Sequence, residues 1–177
     1  NGTVWRWNRP LIGFDFDGQP HIRIEHRVVP AGPTLVDCIA NAAFYFGLVS
    51  GLRTWTEPVE RRLPFAQARD NFYNGARYGL NGRMFWPGAR GDGEFGMRAL
   101  IMDELLPLAR RGLEALDIPR GEIDHYLDVI GARVDSSQNG AAWQRRWVAL
   151  HGIDLHALVQ AYRERQERGE PVHGWTL

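Results

Sequence analysis

Apolar and polar residues alternate along His21-Ile22-Arg23-Ile24-Glu25-His26-Arg27. A period of two predicts a β-strand with Arg23, Glu25 and Arg27 on one face and Ile22, Ile24 and Val28 on the other, toward a core. Upstream, residues 3–8 and 11–16 read as a strand pair, and Asp17-Gly18 supplies the turn into the charged strand. Residues 1–30 therefore predict a short antiparallel β-meander that holds three charges on a rigid element.

The period then changes to that of a helix. Pro30-Ala31-Gly32-Pro33-Thr34 turns the chain into an apolar helix over residues 34–52, opened by a Thr34/Asp37 capping box. Residues 57–63 read as a charged connection between prolines, and 64–79 as a helix with Asp70, Asn74 and Arg77 on one face. A solvated face is the plain reading of that trio. Residues 80–95 hold Gly82, Pro87, Gly88, Gly91 and Gly93 and predict a surface loop. Its glycines lack the lysine and the strand-to-helix setting of a phosphate-binding loop. Met97, Leu100, Ile101, Leu105, Leu108, Leu113 and Leu116 mark one further helix with a kink at Pro107. Helices over 122–130, 141–150 and 153–168 follow, with Trp143 and Trp147 as core and residues 163–168 as a solvated end. The fold class is α+β: a β-meander over 1–30 and a mainly helical 33–177, in one domain.

Composition narrows the chemistry. At 177 residues and 44% hydrophobic, the chain can bury a core, which excludes a disordered polypeptide. Its 21 basic and 21 acidic residues balance, so the general attraction that drives nucleic-acid binding is missing. Every basic residue is arginine, which removes lysine Schiff-base chemistry. The single Cys38 cannot form an internal disulfide and fits a reducing, cytoplasmic setting; it reads as a small buried hydrophobe. The helix over 34–52 is barely long enough to span a membrane and carries Asp37 and Asn41, so a core helix is the expectation and no membrane partner is implied. The six histidines have no metal-ligand spacing, with His26 read as a satisfied core histidine, and no serine sits in a nucleophile elbow.

Several segments together resemble a known family. Asn8-Arg9, the hairpin, Arg23-Ile24-Glu25-His26-Arg27, the proline turn and the small-residue helix are similar to the last part of the catalytic domain of glutamine synthetase-like enzymes. The nearer likeness is to the glutamate–cysteine ligase type 2 and carboxylate–amine ligase group. Asn74-Gly75-Ala76-Arg77-Tyr78-Gly79-Leu80-Asn81-Gly82 and Gly140-Ala141-Ala142-Trp143-Gln144-Arg145-Arg146 agree in order and spacing, so the likeness spans roughly residues 3–150. It implies that the meander is part of a glutamine synthetase-like catalytic sheet. It also implies that ATP phosphorylates the γ-carboxylate of L-glutamate and that an amino acid or other amine attacks the acyl phosphate to give a γ-glutamyl amide.

By this resemblance Glu25 ligates a divalent metal, Mg²⁺ or Mn²⁺, a hard-oxygen task. Arg23 and Arg9 contact phosphate, with Arg6 a further such position, though it faces opposite to Arg9. Arg27 serves catalysis and the substrate carboxylate, and Arg77 reaches the substrate from its helix. Arginine suits these anions because its fork donates two parallel hydrogen bonds and keeps its charge. Arg83 and Arg90 are lesser substrate candidates, and Gln144 and Arg145 match the terminal motif.

The family's remaining carboxylates lie on earlier strands, which predicts that this chain is a C-terminal fragment, inactive without the missing N-terminal part of its own chain. The turn at residues 30–34 differs from that of glutamine synthetases proper and favours the ligase branch. A non-catalytic anion-binding or assembly module is the alternative reading, and a homo-oligomer is compatible with either.

Overall fold

Asp17-Gly18 does fold the chain back on itself. Gly18 takes φ 81°, the left-handed conformation that a glycine adopts without strain, and its N–H donates to the Asp15 carbonyl at 2.9 Å. The turn joins β1 (Asn8–Phe14) to β2 (Pro20–His26) in an antiparallel pair. This computed structural model describes residues 8–29, 31–88 and 91–177. The protein is α+β, with two small two-stranded antiparallel sheets and a helical remainder. The chain divides into two units, residues 1–31 and 32–177. The expected strand over residues 3–8 lies outside the described residues except for Asn8.

One expectation for the hairpin is overturned. Ile22 and Ile24 do not enter a core: they are 78% and 61% exposed, and Ile12 and Phe14 on the same face are 74% and 69% exposed. A two-stranded ribbon has no second layer of its own to cover that face. Val28 is partly buried, and His26 is not a core residue but bonds Asn8 Oδ1 at 2.8 Å across the ribbon.

The second unit runs α1 (Leu35–Leu52), α2 (Val59–Arg62), α3 (Phe65–Tyr78), β3 (Arg83–Gly88), β4 (Gly91–Gly96), α4 (Met97–Leu100), a π-helical turn (Ile101–Leu105), α5 (Leu106–Glu114), α6 (Arg120–Ser136), α7 (Gly140–His151) and α8 (Leu155–Arg168). The capping box forms as expected: Asp37 N–H donates to Thr34 Oγ1 and Thr34 N–H to Asp37 Oδ2, both at 3.2 Å. Gly47 and Gly51 of α1 meet Gly112 and Ala109 of α5 so closely that a Cβ on any of the three glycines would strike the facing backbone. Small residues let the two backbones approach, and Phe44 and Leu48 then pack beside Leu113, Ile123 and Leu127. A second core joins Trp143 and Trp147 of α7 to Val172, Trp175 and α8. The expected packing role of the two tryptophans is met.

α1 is buried on one side alone. Leu35, Ile39, Ala42, Phe46 and Val49 recur at four- and three-residue steps along its opposite, exposed face. The kink expected at Pro107 takes the form of a widened turn just before it, in which Leu106 N–H bonds the Ile101 carbonyl five residues back. Residues 57–63 contain the short helix α2 in place of a plain connection.

The loop expected over residues 80–95 is instead the β3–β4 hairpin. Asn71 of α3 explains how a glycine-rich segment is held extended. Its side chain accepts from Phe85 N–H at 2.8 Å and donates to the Phe85 carbonyl at 2.7 Å, which occupies both backbone groups as a third strand would.

Candidate anion-binding site

The ribbon register decides which charges meet. Arg9 stands opposite Glu25 and Leu11 opposite Arg23, and directly opposed residues of an antiparallel pair project from the same face. Arg9, Arg23 and Glu25 therefore share one side, and Arg27, one residue past the strand, bends back to Glu25 with Nη2 2.8 Å from Oε2. The hydrogen bond from Arg27 is the main cause that holds the Glu25 carboxyl below the ordinary glutamate value, with partial burial opposing it and the charges of Arg27, Arg9 and Arg23 adding to it.

Three guanidiniums thus surround one carboxylate, leaving positive charge in excess. Arg9 and Arg23 are exposed and make no side-chain hydrogen bond or ion pair among the described residues. A strand holds each at a fixed spacing, so the face can present several N–H donors to one anion with little ordering cost. Arg6 lies outside the described residues. His21 joins the same face, its Nδ1 3.2 Å from Asp15 Oδ1.

The other expected residues belong to the helical unit. Arg77 is exposed near the end of α3, its guanidinium 5.6 Å from the centre of the Tyr78 ring. Asp70 pairs with Arg69 at 2.9 Å on the surface, and Asn74 donates to the Arg83 carbonyl, so this trio has local partners. Arg83 serves its own hairpin by bonding the Glu94 carbonyl at 3.1 Å. Arg90 lies outside the described residues. Gln144 and Arg145 are exposed on α7, whereas Arg146 donates to Gln138 Oε1 at 2.8 Å. Gln138 in turn donates to the carbonyls of Val172 and Trp175 at 2.8 Å and ties the end of the chain to the bundle. Asn139 caps α7 by accepting from Ala142 N–H. The terminal motif is thus partly a support structure.

A second arginine–carboxylate group escaped the sequence reading. Asp37 is fully buried and accepts from Arg133 Nη2 at 2.6 Å, from Thr34 and from Val172 N–H, while Arg133 also donates to Asn41 Oδ1 at 2.6 Å. Every strong group here is paired, so this cluster locks α1, α6 and the C-terminal segment together and offers nothing to a ligand. The acid inside an apolar helix was the visible signal; its partner 96 residues away was not. Cys38 is half-buried and accepts from Gly32 N–H at 3.1 Å, a packing role.

Among the described residues no group of three or more histidine, cysteine, aspartate or glutamate side chains could hold a metal ion. Comparison with models of protein families, with curated proteins and with solved structures finds no match.

Proposed function

We propose that this chain is the C-terminal part of a cytoplasmic, ATP-dependent ligase of the glutamate–cysteine ligase type 2 kind, joining the γ-carboxylate of L-glutamate to an amine. The observation that carries the reading is the face on which Arg9, Arg23 and Arg27 surround Glu25. Such a face suits a polyphosphate: Arg9 and Arg23 neutralise and orient it, and Arg27, steadied by Glu25, faces charge that builds as a carboxylate oxygen attacks phosphorus. By the resemblance alone, Glu25 would be one ligand of a hard divalent cation, which when bound would neutralise phosphate charge. No described cluster completes that coordination. Arg77 is assigned to the substrate on the resemblance of its segment alone.

The test is ADP release by the complete gene product, with glutamate and a panel of amines that includes cysteine. Amine-stimulated release that disappears in Glu25→Gln, with the KM for ATP raised roughly ten- to a hundredfold in Arg23→Ala, is the expected result. The exposed Ile12, Phe14, Ile22 and Ile24 face favours a second reading, an anion-binding or assembly module. Absence of turnover with every amine, in a protein that still binds tripolyphosphate, would select that reading over the ligase.

A further inference from the structure

A cavity of about 610 Å³ opens in the helical unit between the segment after α1, strand β3 and the π-helical turn. Two tryptophans form part of its wall, Trp55 and Trp86, edge to face with ring centres 5.9 Å apart. Among the described residues, the carboxylates of Glu57, Asp103 and Glu104 and the guanidiniums of Arg62 and Arg111 line it. Arg62 is already engaged: it pairs with Asp92 at 2.6 Å and lies 5.1 Å from the centre of the Trp55 ring. Among the described lining residues, aromatic surface thus lies beside carboxylates.

Glu104 is the residue that asks for a ligand. Its Oε1 is buried and has no hydrogen-bond partner among the described residues. A buried acceptor left without a donor is costly, so the setting of Oε1 is a standing destabilisation. The fold keeps it in place nonetheless. The π-helical turn carries Glu104, and its carboxyl group lies where a Cβ on Gly88 would be, so the strand has no side chain at the point where the acid seats. Single π-helical turns inside α-helices recur at functional sites because they redirect a side chain that regular winding would place elsewhere.

We infer that this cavity binds a small organic cation, an alkylammonium or guanidinium group on a short apolar stem. The carboxylate of Glu104 would accept the N–H donors, and the tryptophan faces would take the cation's charge and the stem's apolar surface. An anion would be repelled by the Glu104 carboxylate, and a neutral apolar molecule would leave its Oε1 unsatisfied. The inference does not rest on the ligase reading, and its test measures binding and not turnover, so either can fail alone.

The test follows the indole ¹⁵N–¹H signals of Trp55 and Trp86 in the whole chain, with the other tryptophans as internal reference, during titration with n-butylamine hydrochloride and separately with sodium butyrate at the same pH and ionic strength. Butylammonium should move both signals saturably and butyrate should not. Glu104→Gln, which keeps the shape and removes the charge, should weaken butylammonium about tenfold or more. Gly88→Ala should weaken it too, because its methyl displaces the carboxyl group. The inference is overturned if neither salt gives a saturable shift, if both move the signals alike, or if folded Glu104→Gln binds butylammonium as the parent chain does. The comparison of the two salts in the parent chain decides the matter even where a variant does not fold.

Discussion

Glu25–Arg27 in the hairpin and Asp37–Arg133 in the helical unit are the same chemistry at nearly the same distance, 2.8 and 2.6 Å, in opposite surroundings. The side chains of the first pair are 35% and 23% exposed and stand among further arginines. Those of the second are 0% and 13% exposed, and their remaining capacity is taken by Thr34, Asn41 and Val172. Charge left in surplus at a surface is available to a ligand, whereas charge balanced in a core is committed to the fold. An arginine near a carboxylate does not by itself mark a site; the count of unsatisfied donors around it does.

The sharpest way to break this contrast is to remove one partner from each pair. Arg133→Met leaves a buried carboxylate unpaired and should cost about 3–5 kcal/mol in urea unfolding. Asp37→Leu together with Arg133→Met should be less destabilised than the sum of the two single changes, since both charges leave. Glu25→Gln, by contrast, should lower the unfolding midpoint far less than Arg133→Met while changing anion binding. A stability loss in Glu25→Gln as large as that in Arg133→Met would erase the distinction.

Gly112→Ala comes next, because its methyl collides with the Gly47 carbonyl across the α1–α5 contact. It should cost about 1–3 kcal/mol, read from the same unfolding curves. Thr34→Ala removes the cap that Asp37 N–H uses and should cost about 1 kcal/mol.

The smallest effects are those of pH. Because Glu25 is held below its ordinary value in the folded chain, it favours folding above the unfolded glutamate value of about 4.3, and that contribution fades as pH falls through the folded value. Carboxyl ¹³C titration should show Glu25 titrating low, and Arg27→Ala should move it upward. Tyr162 runs the other way: burial, then the charges of Asp37 and Cys38, raises its phenol above the usual tyrosine range. Its contribution is intact below the unfolded value of about 10 and is lost as pH rises through the folded value, so unfolding midpoints should fall in alkali. In Tyr162→Phe this part of the fall should be absent.

Much of the fold was legible because its signals are local. The period of two named β2, Asp17-Gly18 named the turn, and Thr34 with Asp37 named the start of α1. The glycine-rich hairpin was not legible, because what holds β3 extended is Asn71, on a helix 14 residues earlier. The charged face was half legible. Alternation grouped Arg23 with Glu25, but only the ribbon register placed Arg9 opposite Glu25. Nothing along the chain could say that Ile22 and Ile24 would find no core, since burial depends on a second layer and not on the strand itself.

The elements, most of their caps and turns, and the charges that share a strand face are thus written in the chain order, because they follow from dihedral preferences and periodicity over a few residues. Folding in three dimensions was needed to bring Asp37 to Arg133, to let Gly47 and Gly51 admit Gly112, and to bury Glu104 Oε1 with no hydrogen-bond partner among the described residues in a cavity that two tryptophans line. Those outcomes depend on approaches between distant segments, where a few tenths of an ångström and the exclusion of water set the energy, and no short window of residues encodes them.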